Sequence, residues 1–127
     1  MPPTNKNELL YLLNLSLLAT HQVDAAYWHE WDVFGVPGGL PFFLLFNFVA
    51  VLLLAVGLAS VAAHRSEARS WSLVCAGVGL VTVAIHVVFL ILDSTAFWSP
   101  MSIALFFALG ITSILQAALP NPTKPAF

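Results

Sequence analysis

Charged residues are scarce in this chain of 127 residues. Lys and Arg number 4, Asp and Glu number 6, and together they make up 8% of the sequence. No run is rich in Lys or Arg, which argues against a nucleic-acid-binding surface. The single cysteine, Cys75, excludes an intrachain disulfide framework and a cysteine-based metal site. Apolar residues, by contrast, make up 60% of the chain, and the mean hydropathy of +0.92 indicates that the partner of this protein is the lipid bilayer.

Four apolar stretches are long enough to cross a bilayer, since a spanning helix needs about 20 mostly apolar residues. Their apolar residues do not alternate with polar ones, so strands are not expected. The connections between the stretches are short and hold Gly, Pro or charged residues. The sequence therefore predicts an all-α membrane protein, a four-transmembrane-helix up-down-up-down bundle in a single domain of residues 1–127. The predicted spans cover about residues 8–31, 41–63, 71–93 and 100–119.

The first of these stretches also has features of a cleaved secretory signal, because Lys6 precedes an apolar run that ends in a small residue. Cleavage requires small side chains at both −3 and −1, whereas Leu17 would lie at −3. The helical pattern also continues without a break through His21 and Asp24. We therefore expect this stretch to be the first transmembrane helix.

The positions of the cations predict the orientation in the membrane. Lys6 precedes the first span, Arg65 and Arg69 lie between the second and third, and Lys124 follows the fourth. With four spans these three regions share one side, and the other two connections have no Lys or Arg. The positive-inside rule therefore predicts a multi-pass integral membrane protein with both termini in the cytoplasm.

Polar side chains inside the spans are the candidate functional residues, because such groups are costly in lipid and usually face a protein interior. At 100° per residue, the polar residues of span one fall within an arc of about 80°, and a polar and small-residue face of span three falls within about 60°. The first face consists of Asn14, His21, Asp24 and Trp28, and the second of Cys75, Gly79, Thr82, His86 and Asp93. Both faces are expected to point into the bundle.

Depth brings some of these residues to one level. With a rise of 1.5 Å per residue, Asp24 lies about 10 Å and His21 about 15 Å below an outer boundary near residue 31. Asn47 and His86 reach about the same depth from the second and third spans. A vestibule of ionisable groups is expected above this cluster in the outer half of the membrane, consisting of His29, Glu30, Asp32 and Asp93.

Several functions are compatible with this cluster. His21, Asp24 and His86 together supply two imidazoles and a carboxylate, which suit a divalent metal such as zinc or iron. The same three residues suit catalytic acid-base chemistry on a lipid-soluble substrate or proton-coupled movement of a solute. A haem between two histidines ranks lower, because Asp24 would place a charge against the porphyrin. The alternatives are a structural hydrogen-bond network, or a non-catalytic carrier or accessory subunit that forms a homo-oligomer or docks on a larger membrane protein.

The stretch of residues 20–31 contains the pattern T-H-x-x-D-A followed by H-E-W. It resembles a family of small, mainly bacterial four-span membrane proteins of unknown function. The resemblance implies a location in a bacterial inner membrane and singles out His21, Asp24, His29 and Glu30 as hallmark positions. It implies no activity.

Overall fold

The computed structural model describes residues 5–92 and 99–120, and every regular element in these ranges is a helix. The prediction of an all-helical chain is confirmed for this part of the sequence. The helices are α1 (Lys6–Tyr27), α2 (Glu30–Val33), α3 (Gly39–Ala62), α4 (Ala68–Leu92) and α5 (Pro100–Ala118). Three of them, α3, α4 and α5, are long and apolar enough to cross a membrane. Helix α1 has 22 residues but is not among those three.

Side-chain capping starts α1, and a backbone reversal ends it. Asn5 accepts a hydrogen bond from the Glu8 amide at 2.9 Å and donates one to the Glu8 carboxylate at 3.2 Å, so both residues are paired across the first turn. The helix ends at Tyr27, before the boundary near residue 31 that the sequence suggests. The reason is His29, whose φ of 51° lies in the left-handed region and turns the chain into α2.

A glycine-rich turn joins α2 to α3. Gly35 and Gly38 have φ values of 65° and 101°, which side chains with a Cβ rarely adopt, and Gly38 is the N-cap of α3. After this turn α3 packs against α1, and α2 contacts both of them. The short helix α2 therefore lies over the space between its neighbours.

The four long helices pack against one another through polar as well as apolar contacts. Helix α1 contacts α3, α4 and α5, and α4 also contacts α3 and α5. The Tyr11 hydroxyl donates to the Leu54 carbonyl at 2.8 Å, and the Asn14 amide donates to Gln116 at 2.5 Å. Arg69, at the start of α4, donates to backbone carbonyls at the end of α5, including that of Leu119 at 2.7 Å. The Arg69 bonds satisfy carbonyls at the end of α5 that have no partner within their own helix.

The distribution of polarity is the reverse of that in a soluble protein. Among the described residues the buried set includes many polar side chains, such as Asn14, Ser72, Ser113 and Gln116. The exposed set includes long apolar side chains along every long helix. A surface of this kind is stable in lipid and not in water, so the structure agrees with the membrane protein that the composition predicts.

Candidate metal centre

Two helices bring the imidazole rings of His21 and His86 together. His21 belongs to α1 and His86 to α4, and both are buried. The ring centroids are 4.6 Å apart and the ring planes are perpendicular. The rings meet because each histidine lies on the face of its helix that points into the bundle. The structure therefore joins two of the three residues that the sequence nominates for a site.

The carboxylate beside these rings is that of Glu30, the first residue of α2. Glu30 is 5% exposed, which is rare for a glutamate without a partner. One carboxylate oxygen, Oε1, lies 2.8 Å from His86 Nε2, and the other, Oε2, lies 4.0 Å from His21 Nε2. The reversal at His29 turns this side chain back into the protein. Glu30, which the sequence analysis assigns to an outer vestibule, is thus part of the buried group.

The hydrogen bonds of His86 specify what must lie between its ring and Glu30. Nδ1 is 2.7 Å from the carbonyl oxygen of Thr82, which only accepts, so Nδ1 carries a hydrogen. Nε2 and a carboxylate oxygen, 2.8 Å apart, cannot both remain acceptors. A proton shared by the two atoms, or a metal ion bound by both, is therefore required. The Nδ1 of His21 is also buried and has no hydrogen-bond partner among the residues described.

The three side chains have the composition and spacing of a metal-binding group. One ligand atom from each of His21, Glu30 and His86 can be chosen so that all three lie within 4.8 Å of one another. Two imidazoles and one carboxylate are the donor set of several catalytic zinc sites and of non-haem iron(II) sites. The remaining coordination positions in such sites hold water or substrate. The donor set is therefore suited to a divalent transition metal.

Aromatic rings surround the group and keep it in a low-dielectric environment. Phe106 lies 5.5 Å from the His21 ring and 4.5 Å from the His86 ring, and Phe34 lies 5.5 Å from His86. In such surroundings a charge needs a partner, because burial of an unpaired ion is strongly unfavourable. The apolar shell thus favours either a shared proton or a bound cation at Glu30.

A cavity of about 530 Å³ opens beside the three residues. Its walls come from α1, α2, α3 and α4, and most of its lining is apolar. The lining residues are His21, Gln22, Glu30, Trp31, Phe34, Val36, Phe42, Phe43, Phe46, Gly77, Val78, Val81, Thr82, Ile85 and His86. A polar group at one end and an apolar space beside it are typical of small-molecule sites.

Asp24 lies on the same helix as His21 but makes different contacts. Its carboxylate accepts hydrogen bonds from the Ser102 hydroxyl at 2.6 Å and from the Trp28 indole at 3.2 Å. It is half-buried and is not a member of the group within 4.8 Å. The structure therefore pairs Asp24 with α5, whereas the sequence analysis assigns it to the candidate metal site.

The other site residues predicted from the sequence lie apart from the His/Glu/His group. Asn47 donates to the Phe43 carbonyl at 2.8 Å and lines a separate, smaller cavity. His29 and Asp32 are exposed, and the His29 ring stacks on Trp31 at 5.0 Å. Asp93 lies outside the described residues, as does Lys124. Helical angles and depth therefore identify the histidines but not their carboxylate partner.

The sequence contains one signal for Glu30. Span one is predicted to continue to about residue 31, and on a continuous helix Glu30 would lie at the membrane surface. The H-E-W pattern marks Glu30 as a hallmark of the resembled family without giving its role. Glu30 points inward because His29, the residue before it, is left-handed. The sequence does not predict this, since a histidine is a weak indicator of that conformation.

Over the residues that the structure describes, the fold is all-helical with helices able to cross a membrane, and the site is a buried His/Glu/His group. A family model described as a family of unknown function, DUF6713, matches residues 7–121, and the chain belongs to this family. No curated protein and no solved structure matches the chain. Membership of a family of unknown function is thus confirmed. The bacterial source and the T-H-x-x-D-A pattern stay predictions.

Proposed function

We propose that this protein is a four-span integral membrane protein that binds one divalent transition metal ion, zinc or iron(II), at His21, Glu30 and His86. The observation that carries the proposal is the convergence of three buried ligand atoms from three helices within 4.8 Å. The group lies towards the end of the bundle opposite Arg65 and Arg69. By the positive-inside rule it therefore opens in the outer half of the membrane.

The polarity of α1 supports its role as the fourth span. Its exposed side chains are mostly apolar, including Leu12 and Val23, whereas its polar side chains Asn14 and His21 are buried. The exposed hydroxyls of Ser16 and Thr20 donate to carbonyls one turn earlier in the helix, at 2.7 and 2.9 Å. Such internally bonded hydroxyls are tolerated in lipid. Polar residues lower the hydropathy of α1, but Asn14 and His21 face its helical neighbours and the two exposed hydroxyls are bonded within the helix.

Contacts between the helix ends support an up-down-up-down arrangement. Tyr11, early in α1, bonds to Leu54, late in α3. Asp24, late in α1, bonds to Ser102, early in α5. Neighbours that make such contacts run in opposite directions, and short connections give the same alternation. Both termini and the connection between α3 and α4 are then on the cytoplasmic side.

The surroundings of the ligands support metal binding. A metal-bound histidine usually donates its second N–H to a carbonyl or carboxylate, which fixes the ring orientation. His86 has this arrangement with Thr82. The buried Nδ1 of His21 has no hydrogen-bond partner among the described residues, and a metal ion bound through this nitrogen would supply one. The two histidines thus differ: His86 has the supporting hydrogen bond of a metal ligand, and His21 has a ring nitrogen that lacks a partner among the described residues.

Metal analysis of the protein purified in detergent tests the proposal. We expect about one equivalent of zinc or iron per chain, and at least a tenfold lower content after His21→Ala, Glu30→Gln or His86→Ala. Asp24→Asn is the matched control, because it changes a carboxylate on α1 that contacts Ser102 instead. Wild-type protein that holds no metal after supplementation with zinc and iron(II) would contradict the proposal.

An acid-base site is a second candidate, and the distance of 2.8 Å between His86 Nε2 and Glu30 Oε1 favours it. That distance is typical of a hydrogen bond to a charged or strongly polar group. A proton shared by this pair would serve transfer to or from a lipid-soluble substrate. Metal-free wild-type protein in the analysis above supports this candidate against the metal site.

The proposed partner of the outer surface is the lipid bilayer. Only 11% of an 18-residue apolar segment of α3 is buried, compared with 39% for the corresponding segment of α5. Helix α3 therefore presents most of its surface to the surroundings. Lipid is sufficient to cover such a helix. An accessory subunit that docks on a larger membrane protein is the alternative, and it differs from our proposal in requiring neither His21 nor His86.

A further inference from the structure

The cavity beside the proposed metal centre has a defined shape and chemistry. It lies between the early part of α3 and the later part of α4, with α2 at one end. We propose that it binds a lipid-soluble hydroxyaromatic molecule, a phenol or quinol with an alkyl or isoprenoid tail, with the hydroxyl at Glu30 and His86. This inference rests on the proposed function in placing the ligand beside the same group, but the apolar part of the binding energy comes from other residues.

The walls of the cavity favour a planar ring. Five aromatic side chains line it, in addition to the two imidazoles. They are Trp31, Phe34, Phe42, Phe43 and Phe46. Aromatic pairs in offset or edge-to-face contact attract one another beyond the burial of apolar surface. An aromatic ligand therefore gains more from these walls than an acyl chain of equal volume. The volume of about 530 Å³ lies within the usual range for small-molecule sites.

The opening of the cavity faces the lipid. Phe42 and Phe46 on α3, and Val78 and Val81 on α4, line the cavity and are 40–59% exposed on the apolar surface. The two helices meet closely at Gly57, where Tyr11 and Trp71 pack, but not at Gly77. A ligand can therefore enter sideways between α3 and α4 from the bilayer, with its tail remaining among the lipids.

The polar end of the cavity matches a hydroxyl group. The carboxylate of Glu30 accepts a hydrogen bond. A proton shared with His86 can be donated to the ligand, and a metal ion held there would instead accept a lone pair of the ligand's oxygen. A phenolic hydroxyl both donates and accepts, so it satisfies both groups. The lining residues include neither Lys nor Arg, and Glu30 opposes a second carboxylate or a phosphate. Fatty acids and phospholipid headgroups are therefore poor matches for this cavity.

Calorimetric titration of the full chain in detergent tests the inference with three probes, each of which has a ten-carbon alkyl or acyl chain. We expect 4-decylphenol to bind saturably at one site per chain. Decylbenzene, which lacks the hydroxyl, and decanoic acid are expected to bind at least about tenfold more weakly. Equal binding of either probe, or the absence of saturable phenol binding, would overturn the inference.

Gly77 permits a specific block of the cavity. A Cβ at this position meets no atom within 4 Å, so a side chain can enter the space without displacing a neighbour near the backbone. We expect Gly77→Phe to weaken phenol binding at least tenfold, whereas Ile111→Phe, on the lipid-facing surface of α5, leaves it unchanged. Helical content by circular dichroism verifies folding, and Gly77→Leu replaces the larger variant if it does not fold. Phenol binding that survives the block contradicts the inference.

The metal content of the same preparations separates this inference from the proposed function. Gly77 is not a ligand, so Gly77→Phe is expected to retain the wild-type metal content. Metal-loaded protein that binds no phenol overturns the inference alone. Metal-free protein that binds the phenol with the expected preference supports the cavity and overturns only the metal site.

Discussion

His29 has a structural role that its chemistry does not suggest. Its imidazole is exposed, yet its backbone has a φ of 51°, and the next residue is the buried Glu30. A residue in the left-handed region reverses the chain direction within one step. Without that reversal α1 would continue towards Trp31, and the Glu30 carboxylate would leave the histidines. The orientation of one ligand therefore depends on the conformation of its neighbour.

Because Glu30 depends on the backbone of His29, two substitutions of His29 are expected to have different effects. His29→Val places a β-branched residue at positive φ and is expected to lower the free energy of unfolding by about 1–3 kcal/mol and to reduce the metal content. His29→Gly is expected to retain both. Thermal unfolding in detergent and metal analysis provide the measurements.

His64 is the matched control, because it has the same φ of 51° in the connection between α3 and α4. His64→Val is expected to destabilise the protein by a similar amount without loss of metal per folded chain. A His29→Val protein with full stability and full metal content would show that the reversal does not require this conformation.

Helix α4 uses its glycines in two different ways. At Gly79 a Cβ would overlap the Ser113 hydroxyl and crowd Asn14 and Leu109, at 3.2 and 3.3 Å. At Gly77 the same atom meets nothing. The first glycine permits close contact with α1 and α5, as small residues do in membrane helices. The second borders the cavity. One helix therefore provides both a packing surface and a cavity wall.

The two glycines form a matched pair for stability measurements. Gly79→Ala is expected to lower the free energy of unfolding by about 1–3 kcal/mol, because the added methyl group forces apart the side chains of Ser113 and Asn14, which are hydrogen-bonded between α5 and α1. Gly77→Ala is expected to cause no loss, since Ala also has the higher helix propensity. Unfolding midpoints in one detergent provide the comparison. Equal midpoints for the two variants would contradict the described packing of α4.

At the scale of the whole molecule, polarity and charge separate the two ends and the two surfaces. Lys6, Arg65 and Arg69 lie at one end, and the His/Glu/His group lies towards the other. Hydrogen-bonded polar residues are inside, and apolar side chains are outside. This arrangement is the basis of our proposal of four spans with the site opening in the outer half of the membrane.

Labelling with a membrane-impermeant maleimide tests this topology in intact cells. In a Cys75→Ala background, single cysteines at Asn5, Val36 and Ser66 report on the N-terminus and the first two connections. We expect Val36→Cys to react from outside, and Asn5→Cys and Ser66→Cys to react only after permeabilisation. If Asn5→Cys and Val36→Cys react from the same side, α1 does not span the membrane.

Much of the helical pattern could be predicted because it depends on local properties. Long apolar stretches form helices in lipid, and Pro, Gly and charged residues interrupt them. Arg65 and Arg69 accordingly mark the connection between α3 and α4. The inward positions of His21 and His86 also follow from a helical period of 3.6 residues. Each of these features requires information from one segment only.

The sequence by itself thus determined an all-helical chain, its apolar surface and the two histidines of its interior. The tertiary structure decided which carboxylate lies beside the two histidines. That carboxylate is Glu30 and not Asp24, because His29 is left-handed and α2 packs against α1 and α3. It also decided the cavity, since the separation of α3 and α4 depends on where Gly57 permits close contact and Gly77 leaves space. Both outcomes arise from contacts between distant segments, which no local pattern encodes.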